Sequence, residues 1–218
     1  DPYNTGYKFI NGSTIQPSQT YYFKVEPIKW RVLEEADGTY TLLSEYIIDK
    51  QVFYTSSDNR TIGDQTIYAN NYEHSTIREW LNNAFYNKAF STPEKVSILT
   101  TLVDNSASTT ESSTNPYFSN NTMDKVYLLS YQEARSSAYG FTPPYSSSTR
   151  TAVTTDYARA VGAYMNTSTS YYGNGFWWLR SPYISSSYYA HYVHIDGHIR
   201  DNIVYISFNG ARPAIKID

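Results

Sequence analysis

From Tyr183 to Asn209 the chain uses no Lys, Glu, Gln, Met or Trp. Those five types fill 28 of the 218 positions, so a run of 27 residues without one is improbable on the chain's own composition. What remains is Tyr, Ile, Ser, His, Asp, Asn, Arg, Phe, Ala, Val and Gly. Asp196-Gly197 stands between two extended runs, the chemistry of a tight hairpin turn, because glycine accepts the left-handed backbone such turns need. The stretch is therefore expected to fold as a Tyr-rich β-hairpin, entered by Trp177–Pro182 and left by Asn209–Asp218.

The genetic code offers a cause for the gap. An Asn codon of the form AAY, altered only at its adenines, reaches every residue type found between Tyr183 and Asn209. It never reaches Lys, Glu, Gln, Met, Trp or a stop. Adenine-directed mutagenesis leaves that mark, and a surface rewritten in this way is expected to bind changing targets. The residues suit such a surface, since Tyr brings a broad rigid face at low entropic cost while Ser and Asn supply adaptable hydrogen bonds. The plainer reading is an ordinary hairpin edge in a chain that holds 24 Tyr.

The bulk properties narrow the field. Charged residues make up 17% and the net charge is −3, which gives nucleic acid no basic face to bind. The absence of Cys removes disulfides, thiolate metal sites and Cys nucleophiles. No apolar run is long enough to cross a membrane, so direct insertion is not expected. The first residue is Asp1 rather than Met, as in a processed or excised sequence whose leader or anchor is out of view.

Along the chain, Tyr21–Val25 and Ile28–Leu33 read as strands. A turn at Ala36-Asp37-Gly38 leads back through Thr39–Ser44. Trp30, Val32 and Leu42 suit an inward face, Lys29 and Arg31 an outward one. Ser75 or Thr76 opens a helix with Ile77, Leu81 and Phe85 at intervals of four, Trp80 and Ala84 beside them, and Glu79 at capping-box spacing from Thr76. Ser91-Thr92-Pro93-Glu94 opens a second helix through Leu99, and both are expected to face the core. Asp104–Asp124 is rich in Ser, Thr and Asn and reads as a solvated loop. Lys125–Ser130 reads as a strand, Gln132–Ala138 as a helical turn, and Thr142–Arg150 as a Pro- and Ser-rich insertion. No repeat or linker divides residues 1–218, so one domain is expected.

Several segments carry a resemblance. They are Glu26–Leu33, Ser75–Asn82, Lys125–Ser130, Trp177–Pro182 and Gly210–Ala214. In this order they resemble a widespread bacterial domain similar to formylglycine-generating-enzyme-like proteins of the C-type-lectin fold. The ending also resembles the variable proteins of diversity-generating retroelements, found in phages and their bacterial hosts. The resemblance implies an α+β, C-type-lectin-like fold with small antiparallel sheets, two main helices and long irregular loops. It also implies a ligand-binding variable region at about 183–208 and an invariant tail at 209–218.

Within that region Ala190, Val193, Gly197, Ile199 and Val204 are expected to be frame. The displayed, ligand-binding set is Tyr183, Ile184, Ser185, Ser186, Ser187, Tyr188, Tyr189, His191, Tyr192, His194, Ile195, Asp196, His198, Arg200, Asp201, Asn202, Ile203, Tyr205, Ile206, Ser207 and Phe208. His191, His194, Asp196 and His198 have metal-ligand chemistry, but strand alternation sends His191 and His194 to opposite faces, so no metal is expected. Family members that oxidise a substrate cysteine use cysteines of their own, and this chain has none. No catalytic residue and no cofactor is therefore assigned, and Arg180 and Arg212 read as structural bonding partners. The calcium-lectin specificity loop is missing too, with Glu26-Pro27-Ile28 its only near match. The expected partner is a protein receptor, with a glycan as the other option, met outside the cell on a phage virion or bacterial surface. The alternative is a surface or cell-wall module of the same fold with one fixed ligand.

Overall fold

The computed structural model describes residues 1–142 and 145–218. It is an α+β structure of small sheets, short helices and long connections. Strand β1 (Trp30–Ala36) and strand β2 (Thr39–Ser44) form a hairpin whose loop residues, Asp37 and Gly38, both take positive φ. That is the geometry of a two-residue turn matched to strand twist. Tyr21–Val25, expected as a strand, forms no ladder among the described residues and lies outside their sheets. Val32 is 56% exposed and Leu33 is buried instead, because a bulge between Val32 and Glu34 turns Leu33 inward.

After strands β3 (Asp49–Lys50), β4 (Arg60–Ile62) and β5 (Gln65–Ile67), the chain enters its main helical segment. Helix α1 (Thr76–Trp80) runs through a π-helical stretch, Leu81–Phe85, into helix α2 (Tyr86–Ala89). Ser75, not Thr76, is the N-cap, its side chain accepting from the Arg78 N–H at 3.2 Å. Ile77, Leu81 and Phe85 are all buried. A spacing of four drifts round an α-helix, and the wider π turn takes up the drift and keeps the three on one side. Helix α3 (Thr92–Ser97) starts at the Ser91–Glu94 capping box, where the Ser91 N–H donates to Glu94 at 2.7 Å. It buries none of its own residues, and Val96 is 79% exposed, so α3 is a surface turn rather than a core helix.

Strands β6 (Thr101–Val103) and β7 (Thr122–Asp124) form a separate ribbon. The Ser/Thr/Asn-rich segment between them is not solvated throughout: Asn105, Thr110, Asn115 and Ser119 are buried. Val126 to Leu129 is buried on both sides, yet only Tyr127 bridges, to Ala214, so Lys125–Ser130 is not a strand of any ladder. Gln132–Ala138 contains two 3-10 turns, Glu133–Arg135 and Ser137–Tyr139. Of the Thr142–Arg150 insertion, residues 143 and 144 lie outside the described residues.

Helix α4 (Asp156–Ala160) precedes the C-terminal strands β8 (Trp177–Pro182), β9 (Tyr189–Val193), β10 (Ile199–Ile203), β11 (Gly210–Ala211) and β12 (Ala214–Ile217). The larger sheet has the order β10-β9-β8-β11-β3, and β12 completes a second sheet beside β2. Neighbours are antiparallel except β8 and β11, which run parallel through Gly210 and Trp177. Every residue of β8 is buried. Trp178 joins the core beneath the main helical segment, and Trp177 the core on the opposite side with Leu33, Leu43, Leu129 and Val193. Alternation along one strand thus fills both cores. The two indole N–H groups end on carbonyls, Trp177 on Arg150 at 3.1 Å and Trp178 on Gln51 at 2.9 Å.

Candidate functional site

The hairpin β9–β10 forms the outer margin of the five-stranded sheet, with Val193 opposite Ile199 and Tyr189 opposite Ile203. Its loop closes through the His194 N–H on the His198 carbonyl at 2.8 Å and the Gly197 N–H on the His194 carbonyl at 2.9 Å. Gly197 has φ +77. The turn read from Asp196-Gly197 is therefore present, and glycine takes the left-handed position.

Of the residues expected on display, Ser185, Tyr188, Arg200, Asp201, Tyr205 and Ser207 are exposed. The others are half-buried, except two. His191 is 5% and Tyr192 8% exposed, so neither belongs to a displayed set. The Tyr192 ring packs against Phe176 and Trp178, and burial pushes its hydroxyl above the usual tyrosine range. His191 lies between Tyr131 and Tyr183, with Nε2 3.1 Å from Glu111 Oε2. Ala190, Val193, Gly197 and Val204 are buried, and Ile199 packs half-buried on the second core.

The expected display residues that are exposed or half-buried gather mainly at the two ends of the hairpin, with Asp201 midway along β10. Five residues at about 3.3 Å each put roughly 13 Å between strand ends. At one end the loop Tyr183–Tyr188 meets the segment after β10. Val204 N–H donates to the Tyr188 carbonyl at 3.1 Å, and the Tyr188 and Tyr189 rings lie 5.1 Å apart. At the other end His194, Asp196, His198 and Arg200 gather around the turn. Asp196 Oδ1 accepts from the His198 N–H at 2.9 Å and lies 3.0 Å from His194 Nδ1, while Arg200 reaches Oδ2 at 3.5 Å. Burial pushes the Asp196 carboxyl up, but the His198 N–H, His194 and Arg200 outweigh it and hold it below the usual range. Burial lowers His194, with the Arg200 and His198 charges adding to that effect against the Asp196 contact.

His191, in β9, packs on Tyr131, whereas His194, just past the end of β9, stacks on Phe176 at 4.9 Å. Among the described residues no cluster of three or more His, Cys, Asp or Glu is placed to hold a metal ion. Phe208 belongs to neither exposed group. It packs on Tyr3 at 4.8 Å and on Phe176 at 5.9 Å, anchoring the first residues of the chain. A hollow of about 560 Å³, with Phe23, Tyr46, Ile48 and Tyr157 in its wall, shares no residue with 183–208.

The structure also shows what holds the face, most of it illegible in the sequence. Asn70, fully buried, donates through Nδ2 to the carbonyls of Ser186 at 2.7 Å and Tyr189 at 2.9 Å, and its N–H meets the Ser187 carbonyl at 3.0 Å. Asn115 donates to the Pro182 carbonyl at 3.0 Å. Glu111 accepts from the Ile184 N–H as well as facing His191. Arg150, also fully buried, donates to the Gly197 carbonyl at 2.6 Å and to the carbonyls of Thr142 and Tyr145. These bonds run to backbone atoms, so they hold the loop whatever side chains it carries.

Arg180 and Arg212 are structural, as read from the sequence. Arg212 lies 4.9 Å over the Trp177 ring and donates to the Ser44 carbonyl at 2.8 Å. Burial pulls it down to about 9, still charged at neutral pH.

Glu111 provides a test. Burial pushes its carboxyl up, but the His191 contact and the Ile184 N–H outweigh that and hold it below the usual range. A carboxylate whose folded pKa is depressed stabilises above its unfolded pKa, and the contribution is lost as pH falls through the folded value. Glu111→Gln is expected to cost about 1–3 kcal/mol at pH 7. In thermal melts the gap from the parent should shrink as pH drops below the ordinary glutamate value of 4.5. A gap that stays constant down to acid pH would show that the charge on Glu111 does not hold the loop.

The model of the family described as "Domain of unknown function (DUF6273)" matches residues 37–218. No curated protein and no solved structure matches the chain.

Proposed function

We propose that this chain, which belongs to the DUF6273 domain family, is a display protein that binds a receptor through a C-terminal face rewritten by adenine-directed mutagenesis from a retroelement. The observation that carries the reading is the composition of Tyr183–Asn209: five residue types are missing, and all those present are reachable from an AAY codon. The scaffold in this reading is a single C-type-lectin-like domain, carried on a phage virion or bacterial surface. Its work is binding without chemistry, and the ligand is a protein receptor.

Physical support comes from the division of labour within the segment. Exposed positions carry Tyr, Ser, Arg and Asp, types that suit a paratope. The core positions Ala190, Val193 and Val204 and the turn position Gly197 are small, aliphatic or Gly, while Tyr192 and His191 are buried beside them. Anchorage of the loop by Asn70 and Asn115 through carbonyls leaves its side chains free to change. Hot spots are expected at Tyr188, Tyr205 and Arg200, because Tyr and Arg dominate interface energetics. Many copies on one particle would raise modest single-site affinity by avidity.

The test is to sequence the 3′ end of the gene across a clonal population, together with its flanking DNA. The expected result is substitution at template adenines only, concentrated in the codons for Ser185, Tyr188, Arg200, Asp201, Tyr205 and Ser207. Ala190, Tyr192, Val193, Gly197 and Val204 should stay constant. A near-identical non-coding copy beside a reverse transcriptase gene belongs to the same outcome. An unvarying end without a template copy would sink the reading and leave a module with one fixed ligand.

A further inference from the structure

The stretch ahead of β1 has backbone bonding capacity that no backbone group among the described residues uses. From Gln19 to Lys29 the backbone runs without bend, turn or bridge and then enters β1, an outer strand of its sheet. Among the described residues, no backbone N–H from Thr20 to Ile28 donates to another backbone group. Lys24 Nζ lies 3.0 Å from Glu26 Oε1, as side chains two apart do when an extended chain puts them on one face. Tyr22 is 94% and Val25 95% exposed. A segment unpaired among the described residues, with large apolar side chains in water, is a template for another strand.

We propose that residues 22–28 pair antiparallel with the same residues of a second copy of this chain, about a two-fold axis at Val25. Three features select that occupant. In this register Lys24 of each chain faces Glu26 of the other, so opposite charges meet on both sides of the axis. Tyr22 faces Ile28 and Phe23 faces Pro27, so apolar groups meet apolar groups. With Val25 in a non-hydrogen-bonded pair, the N–H groups of residues 22, 24, 26 and 28 point at the partner, and Pro27, which has none, points away. A slip of one residue either way sets Lys24 against Val25 or Pro27 and loses the charge match. The contact is isologous, so it closes at two copies through this edge.

A ribbon this short buries well under the roughly 800 Å² per partner of a standard interface, so the association is weak and needs high protein concentration. Sedimentation equilibrium of the intact chain, carried to its solubility limit, is expected to show a monomer–dimer equilibrium. Lys24→Glu sets like charges opposite each other twice and should weaken association about tenfold. Lys24→Glu/Glu26→Lys restores the match with signs exchanged and should return association close to the parent. The Lys24 and Glu26 side chains are 82% and 65% exposed, so thermal melts of all three proteins should coincide. A parent that stays monomeric throughout would overturn the proposal, and so would a Lys24→Glu variant that associates as tightly as the parent.

Discussion

Gly197→Ala is expected to destabilise the protein by about 3–5 kcal/mol, among the largest effects of any single methyl group in the chain. Two terms combine. Gly197 has φ +77, where any other L residue is strained by about 1–2 kcal/mol. A Cβ at that position would also lie 1.9 Å from the Ser147 carbonyl oxygen, which is backbone and must move. Moving it disturbs the Ser147 N–H bond to the Asp196 carbonyl at 3.1 Å and the Arg150 bond to the Gly197 carbonyl at 2.6 Å. Gly38→Ala is the matched control, since φ is +75 there but nothing lies within 4 Å of the added atom. It should cost about 1 kcal/mol. Chemical denaturation of the pair separates backbone strain from collision, and equal losses would show that the Ser147 contact carries no weight. Gly197 is itself reachable from an AAY codon, so its constancy among variants would be imposed by folding rather than by the template.

Arg180→Ala is expected to cost about 3–5 kcal/mol, by stranding groups that the guanidinium now serves. Arg180 is 3% exposed. Its Nη1 donates to the Leu128 carbonyl at 2.7 Å and its Nη2 to the Asp104 carbonyl at 2.9 Å, while both pair with Glu133, Nη2 at 3.1 Å. Burial disfavours the charge, but Glu133 outweighs burial and raises the Arg180 pKa. The side chain thus ties β8 to two loops that form no ladder with it. Arg180→Lys should recover little, because a single ammonium cannot reproduce a planar fork with four acceptors around it. Arg180→Met combined with Glu133→Leu should be milder than Arg180→Ala, since it removes both charges together. Urea unfolding of the three variants orders them. A double variant as unstable as Arg180→Ala would point to lost packing rather than a stranded carboxylate.

What the sequence disclosed follows from how local each signal is. The Asp196-Gly197 turn and the Ser91–Glu94 box are complete within a few residues, and both are present. Ile77, Leu81 and Phe85 announced a buried helix face through spacing alone, although spacing did not reveal that a π turn keeps them aligned. Val32 was misplaced inward, because alternation along a strand cannot foresee a bulge such as the one between Val32 and Glu34. Tyr21–Val25 has strand-forming residues but no ladder partner among the described residues, and propensity cannot supply one. The Asp104–Asp124 segment misled for another reason. Its composition says that its side chains seek hydrogen bonds but not whether water or a distant carbonyl provides them. Asn115 and Glu111 find theirs in Pro182 and Ile184, some seventy positions along the chain. Burial of His191 and Tyr192 was hidden likewise, since Tyr and His serve equally at a surface and beneath one.

The position of residues 210–218 has a consequence for how the protein is made. Strand β11 lies between β8 and β3, and β12 completes the sheet of β1 and β2. Both sheets therefore wait for residues that leave the ribosome only after the whole of 183–209. A message broken by a frameshift or premature stop inside that segment yields a chain without either closing strand, with Trp177 and Leu43 left short of neighbours, a substrate for proteolysis rather than a folded product. Placement of residues 210–218 in both sheets thus makes folding a reading-frame check on everything encoded before them.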